Sequence, residues 1–141
     1  MKSIEGHSRS VLSSLVAAVI LIGGAAMFPG LNRAVGEPAP VPDAKAGQML
    51  FEKRCAGCHG LDNAKEGPPL RTVYGRKAGS VAGFEYSDAL KNANIVWDEA
   101  KLNQWLTSTE SLVHDNDMDF AVPKPDERAE IIQYLKESSG K

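Results

Sequence analysis

The chain holds only two cysteines, Cys55 and Cys58, in 141 residues, and that scarcity excludes several readings at once. With His7, His59 and His114 as the only histidines, there are too few soft ligands for a zinc site closed entirely by protein. If both thiols are taken up by other chemistry, no disulfide remains and stability must come from packing. An excess of either charge is also lacking, with 16 Lys and Arg against 18 Asp and Glu. The formal net charge of −2 is too small to imply nucleic-acid binding. Nothing in the composition suggests disorder, and the length allows one domain plus an extension.

What is present is Cys55-Ala56-Gly57-Cys58-His59, two thiols three residues apart with an imidazole directly after the second. The pattern reads as covalent haem attachment. At this spacing two sulfurs reach two vinyl groups on one side of a porphyrin while His59 bonds the iron. A half zinc site or a dithiol redox pair shares the Cys-x-x-Cys geometry, but neither explains the adjacent histidine. A buried porphyrin would also supply apolar surface that a small domain otherwise lacks.

Lys2 and Arg9 precede a run from Val11 to Phe28 that is apolar except for Ser13 and Ser14, the layout of an export signal or a signal anchor. Gly23-Gly24 and Pro29-Gly30 interrupt it and no polar face balances it, which argues against a buried helix of the folded domain. Gly24-Ala25-Ala26 and Ala34-Val35-Gly36 offer small residues for cleavage, and Leu15 to Phe28 falls just short of a comfortable span, so cleavage is favoured over anchoring. The expected organisation is a signal peptide or anchor over 1–36, a proline-rich linker over 37–42 and one domain over 43–141. The expected location is periplasmic, soluble after cleavage. The alternative is a tether through residues 11–28 to the inner membrane, facing the periplasm.

Asp43 is a good N-cap and predicts a helix running into Cys55, with Leu50 and Arg54 one turn apart and Met49 and Phe51 beside Leu50. Gly47 inside it costs about 1 kcal/mol relative to Ala, so its use is to admit another backbone or side chain. In Gly67-Pro68-Pro69-Leu70 a free carbonyl can hold the second ring nitrogen of His59 and make the imidazole a better ligand. Arg71, Tyr74, Arg76 and Lys77 form a donor-rich loop suited to porphyrin carboxylates, although Arg71 and Lys77 read equally well as solvated charges. Phe84 to Leu90 reads as a turn entering a short helix. Ile95-Val96-Trp97 leads into another near Asp98-Glu99 that places Leu102, Trp105 and Leu106 on one face. A buried Trp97 needs an acceptor for its indole N–H, and a haem propionate would be one. Thr107 to Lys124 reads as a loop. Within it Met118 offers a soft thioether as a sixth iron ligand, since Met1 and Met27 lie in the targeting region and Met49 is too near the cysteine motif. Pro125 with Asp126 and Glu127 begins the last helix, buried through Ile131, Ile132 and Leu135, with Tyr134 placed to meet Gly47.

These motifs arrive in an order that resembles the class I cytochromes c, and among them the soluble mitochondrial type and its alphaproteobacterial relatives. The resemblance covers the chain from about Asp43 onward, through Gly67-Pro68-Pro69-Leu70, Tyr74-Gly75-Arg76-Lys77-Ala78-Gly79, Gly83-Phe84-Glu85-Tyr86-Ser87-Asp88-Ala89, Trp97, Met118, Phe120-Ala121 and Tyr134-Leu135-Lys136. It implies an all-α fold wrapped around one covalent haem c, held by Cys55 and Cys58, with His59 and Met118 as axial ligands. It also implies that the Pro68 carbonyl accepts from His59, that Arg76, Tyr86 and Trp97 hydrogen-bond a propionate, and that Phe120 shields the Met side. The implied function is one-electron carriage, without enzymatic activity, between respiratory membrane complexes and a terminal oxidase or reductase. The partners would be redox proteins, and the carrier a monomer.

The departures are specific. Leu90 stands where the mitochondrial type has an Asn, Trp105 where it has a Tyr, and Asn116-Asp117 where it has Thr-Lys. From Asp43 onward 13 Lys and Arg oppose 16 Asp and Glu, a net −3, with Asp115, Asp117 and Asp119 beside Met118. A face of that charge disfavours a strongly acidic docking site and predicts a neutral or mildly basic partner.

Overall fold

The computed structural model describes residues 40–141. The predicted signal or anchor and residues 37–39 of the linker lie outside the described residues. Among the described residues, no helix is long and apolar enough to cross a membrane.

Among the described residues five helices follow in order, and the fold is all-α as expected: α1 Ala44–Arg54, α2 Asp88–Asn92, α3 Glu99–Thr107, α4 Thr109–Leu112 and α5 Pro125–Ser138. No strand forms among the described residues, where Lys77 and Val96 make a single antiparallel bridge. The Asp43 carboxylate accepts from Lys45 N–H at 2.9 Å and starts α1, while Lys53 and Arg54 sit at its negative end. Proline opens α5, followed by Asp126 and Glu127 in its first turn.

These two helices cross at Gly47. A Cβ there would stand 2.0 Å from the Glu130 carbonyl oxygen and 2.9 Å from Tyr134 Cβ, so the crossing requires glycine. The Phe51 and Tyr134 rings meet beside it at 5.5 Å. The buried face of α1 is Gly47 and Phe51, one residue away from the Leu50-centred face read from the sequence. Met49 is 61% exposed. The shift follows from the crossing: the position that must come closest to α5 carries no side chain, so apolarity alone points one residue too far round the helix.

Asp98 caps α3 by accepting from Lys101 N–H at 2.7 Å, and α3 buries Leu102, Trp105 and Leu106. They pack into one core with Ile131, Ile132 and Leu135 of α5. One expectation fails here. Thr107 to Lys124, read as a loop throughout, contains α4, capped by Ser108, whose hydroxyl accepts from Ser111 N–H. Four residues make barely one turn, too few for a hydrophobic period to register.

Candidate functional site

The last turn of α1 continues into the cysteine motif. The amides of Cys55 and Ala56 both donate to the Phe51 carbonyl, at 2.8 and 2.9 Å, and those of Cys58 and His59 both donate to the Cys55 carbonyl, at 3.1 and 2.9 Å. This tight winding brings both sulfurs and the imidazole to the wall of one cavity of about 300 Å³, at the small end of ligand pockets.

His59 is buried, and its Nδ1 lies 2.9 Å from the Pro68 carbonyl oxygen. A carbonyl only accepts, so Nδ1 carries the proton and Nε2 keeps a free lone pair. Burial holds this imidazole below its ordinary pKa, with the Pro68 carbonyl acting in the opposite sense. Gly67 closes over the ring: a Cβ there would stand 2.2 Å from His59 Cε1. The Gly67 amide also donates to the Cys58 carbonyl at 2.8 Å. The sequence showed Gly67 only as the residue before two prolines, which carries no sign of this steric demand.

Burial pushes the Cys55 thiol up to about 11. Cys58 is exposed and its thiol is also raised, chiefly because it hydrogen-bonds to Glu66 and feels that carboxylate's charge.

Met118 and Phe120, both half-buried, line the same cavity, and Leu102, Trp105, Leu106 and Leu135 give it an apolar floor. At the rim, backbone pairing sets Arg76 beside Trp97: the Trp97 amide donates to the Arg76 carbonyl at 2.9 Å, and the Gly75 amide to the Trp97 carbonyl at 2.7 Å. The Arg76 guanidinium donates to Thr72 Oγ1 at 3.1 Å and to the Pro69 carbonyl at 3.0 Å, which leaves further N–H groups for an anion. Burial draws Arg76 below its usual pKa, opposed by nearby Tyr86. Burial likewise raises the Tyr86 phenol, opposed by the Val81 backbone and by Arg76.

Cys55, Cys58, His59, Pro68, Arg76, Tyr86, Trp97, Met118 and Phe120, each singled out from sequence, all face this one cavity. Arg71 and Lys77 do not. Arg71 forms a two-point pair with Asp62, at 2.5 and 2.8 Å, and Lys77 lies in the bridge to Val96. The departures Leu90 and Trp105 also line the cavity, and Trp105 packs on Trp97 with ring centroids 5.3 Å apart. Arg54 is a lining residue that sequence reading left without a role. Its guanidinium pairs with Glu127, while its Nε is buried with no hydrogen-bond partner among the described residues. The donor set fits a covalent haem: two thiols and an imidazole on one side, a thioether among the other lining groups, an apolar floor and a cationic rim.

Comparison with known proteins agrees. The Cytochrome c family model matches residues 44–139. Cytochrome c of Gossypium barbadense is 38% identical over 107 residues, covering 73% of this chain and 96% of its own length. Cytochrome c of Chlamydomonas reinhardtii is 39% identical over 105 residues, covering 72% and 94%. Among solved structures, cytochrome cH from Methylobacterium extorquens superposes with a TM-score of 0.64 at 38% identity, over 67% of this chain and 98% of that one. The chain belongs to the cytochrome c family of electron carriers, with one haem c bound covalently through Cys55 and Cys58.

Proposed function

We propose that His59 and Met118 are the two axial ligands of the haem iron, and that the protein is a one-electron carrier between a membrane redox complex and a terminal oxidase or reductase. The haem supplies the ferric–ferrous couple. With Nδ1–H committed to Pro68, Nε2 is the His59 atom available to the iron, and the hydrogen bond increases its basicity. The Met118 thioether is a soft, neutral donor that favours the ferrous state and raises the potential. With His59 and Met118 both bound, the iron would have no position left for a substrate, which is why the reading is an electron carrier and not an enzyme. Arg76, Tyr86 and Trp97 would hold a propionate, and Phe120 would shield the Met side. The observation that supports this reading most strongly is that Met118 lines the same cavity as the Pro68-oriented His59.

In this reading residues 43–141 are the haem domain, 37–42 a linker and 1–36 an export signal, placing a soluble monomer in the periplasm. Anchoring through residues 11–28 is the alternative. Asp115, Asp117 and Asp119 are exposed around Met118, and the docking face of the partner is neutral or mildly basic.

The test is the visible spectrum of the purified holoprotein, oxidised and reduced, with and without carbon monoxide. A covalent c-type spectrum that ignores carbon monoxide is expected. Ready binding would instead mark an open iron site of the kind a peroxidase or gas sensor uses.

A further inference from the structure

Met118 sits in a segment with little regular structure, yet its own peptide groups are held on both sides. The buried Thr109 hydroxyl, at the start of α4, donates to the Met118 carbonyl. The same hydroxyl accepts from Phe120 N–H at 3.5 Å, and Thr109 is 1% exposed. On the other side the Met118 amide donates to Asn116 Oδ1 at 2.8 Å. Asn116 is in turn fixed through Nδ2, which donates to the Val113 carbonyl at 2.8 Å and to Glu110 Oε2 at 3.3 Å. The other Glu110 oxygen accepts from Asp115 N–H at 3.3 Å. The segment is closed beyond Met118 by Val122 N–H donating to the Leu106 carbonyl at 2.7 Å.

We propose that Thr109 and Asn116 are positioning residues for Met118, gripping its carbonyl and amide so that the thioether stays presented to the iron. This rests on Met118 being an axial ligand. Thr109 is not part of the cavity lining, whereas Asn116 is. Both act by fixing the Met118 backbone, from which the thioether hangs on a flexible side chain. The need for such a grip follows from ligand chemistry. A thioether is a weak neutral donor, and unlike the His59 wall, which is stitched to the cofactor by flanking cysteines, nothing covalent retains the Met118 side. Its retention is then set by how often the segment opens, and each hydrogen bond lost raises that frequency by on the order of tenfold. α4 takes on a purpose in this account: its single turn buries Thr109 against the Met118 segment, while exposed Glu110 reaches Asn116 and the Asp115 amide.

The test uses the holoprotein with Thr109→Val, Asn116→Ala, Thr109→Ser and Met118→Ala, reading the rate of carbon monoxide binding to the reduced form and the far-red band of thioether-ligated ferric haem. Thr109→Val, which keeps shape and removes the hydroxyl, is expected to bind carbon monoxide on the order of tenfold faster than wild type and to lose part of the band. Asn116→Ala should move the same way, and Thr109→Ser, which restores the hydroxyl, should stay near wild type. Thr107→Val is the control, because its hydroxyl bonds only the Asn103 carbonyl within α3 and should leave both readouts unchanged. If Thr109→Val and Asn116→Ala melt earlier but bind carbon monoxide at the wild-type rate, their role is merely structural and the proposal is overturned. Should Thr109→Val yield no holoprotein, Asn116→Ala decides alone, faster binding supporting the grip and the wild-type rate refuting it. Met118→Ala separates the two layers: a far-red band that survives it refutes the ligand assignment itself, whereas its loss alongside unchanged Thr109 and Asn116 variants refutes only the grip.

Discussion

The His59 wall and the Met118 wall of the cavity are held in different ways. Around His59 the constraints are backbone ones: the wound turn through Cys55, the Gly67 amide on the Cys58 carbonyl, the Pro68 carbonyl on Nδ1, and a glycine whose missing side chain makes room for the ring. Around Met118 two side chains do the holding, Thr109 and Asn116, in a segment whose Asp115, Asp117 and Asp119 are exposed and whose Asp115 has φ +61°. Backbone bonds inside a packed turn open together with that turn, whereas a thin segment held by few contacts opens locally at lower cost. The rigid wall suits permanent attachment, and the thinner one marks where the site yields first.

The largest expected effect comes from breaking the rigid wall. Gly67→Ala places a Cβ 2.2 Å from His59 Cε1, so either the ring or the Pro68 loop must move. A cost of about 1–3 kcal/mol is expected for such overpacking. Holoprotein yield and thermal melting should both fall, and a variant with wild-type melting would show that the ring is not confined as described. Next comes the thin wall. Met118→Ala should leave the protein folded with haem attached, make the reduced form bind carbon monoxide readily and lower its potential by on the order of 100 mV, a fraction of the ~0.8 V range that axial ligands command. If Met118→Ala were instead to destroy folding while Gly67→Ala did not, the comparison between the walls would be reversed.

A smaller effect joins the wall behind His59 to the last helix. Glu127, paired with Arg54 at 2.5 Å and with Lys124 at 3.2 Å, has its carboxyl held below the ordinary value of 4.5, chiefly by the hydrogen bond from Lys124. Its folded-state pKa lies below the unfolded one. The pair's contribution is therefore complete above about pH 4.5 and is lost as pH falls through the lower folded value. Glu127→Gln should melt earlier than wild type near neutrality and converge with it at more acid pH. A constant gap across that window would mean the charge is not what matters. The smallest effect concerns the Met118 face. Its exposed aspartates predict electron-transfer rates with the physiological partner that vary weakly with ionic strength, and a steep fall toward an acidic partner would contradict this.

Much of this fold was legible because its signals are local. Asp43 and Asp98 are caps, Pro125 is a helix start, and Leu102, Trp105 and Leu106 recur at helical spacing. Gly47 was readable as a point of close approach because a glycine inside a helix is costly without one. The cysteine motif marked one wall of the site by itself. The residues missed act across sequence distance through single contacts. Thr109 reaches Met118 across nine residues from a helix too short to leave a pattern. Gly67 looked like part of a proline turn, because its function is to leave room for a ring eight residues earlier. Asn116 was visible as a departure from the mitochondrial type, but its hydrogen bonds are a matter of geometry alone.

The central claim is that His59 and Met118 close the iron of a one-electron carrier, and spectropotentiometric titration of wild type beside Met118→Ala tests it most directly. The account predicts one reversible single-electron transition in each, with the variant displaced to lower potential. Coincident potentials, or a wild-type transition that is not a single-electron step, would contradict it.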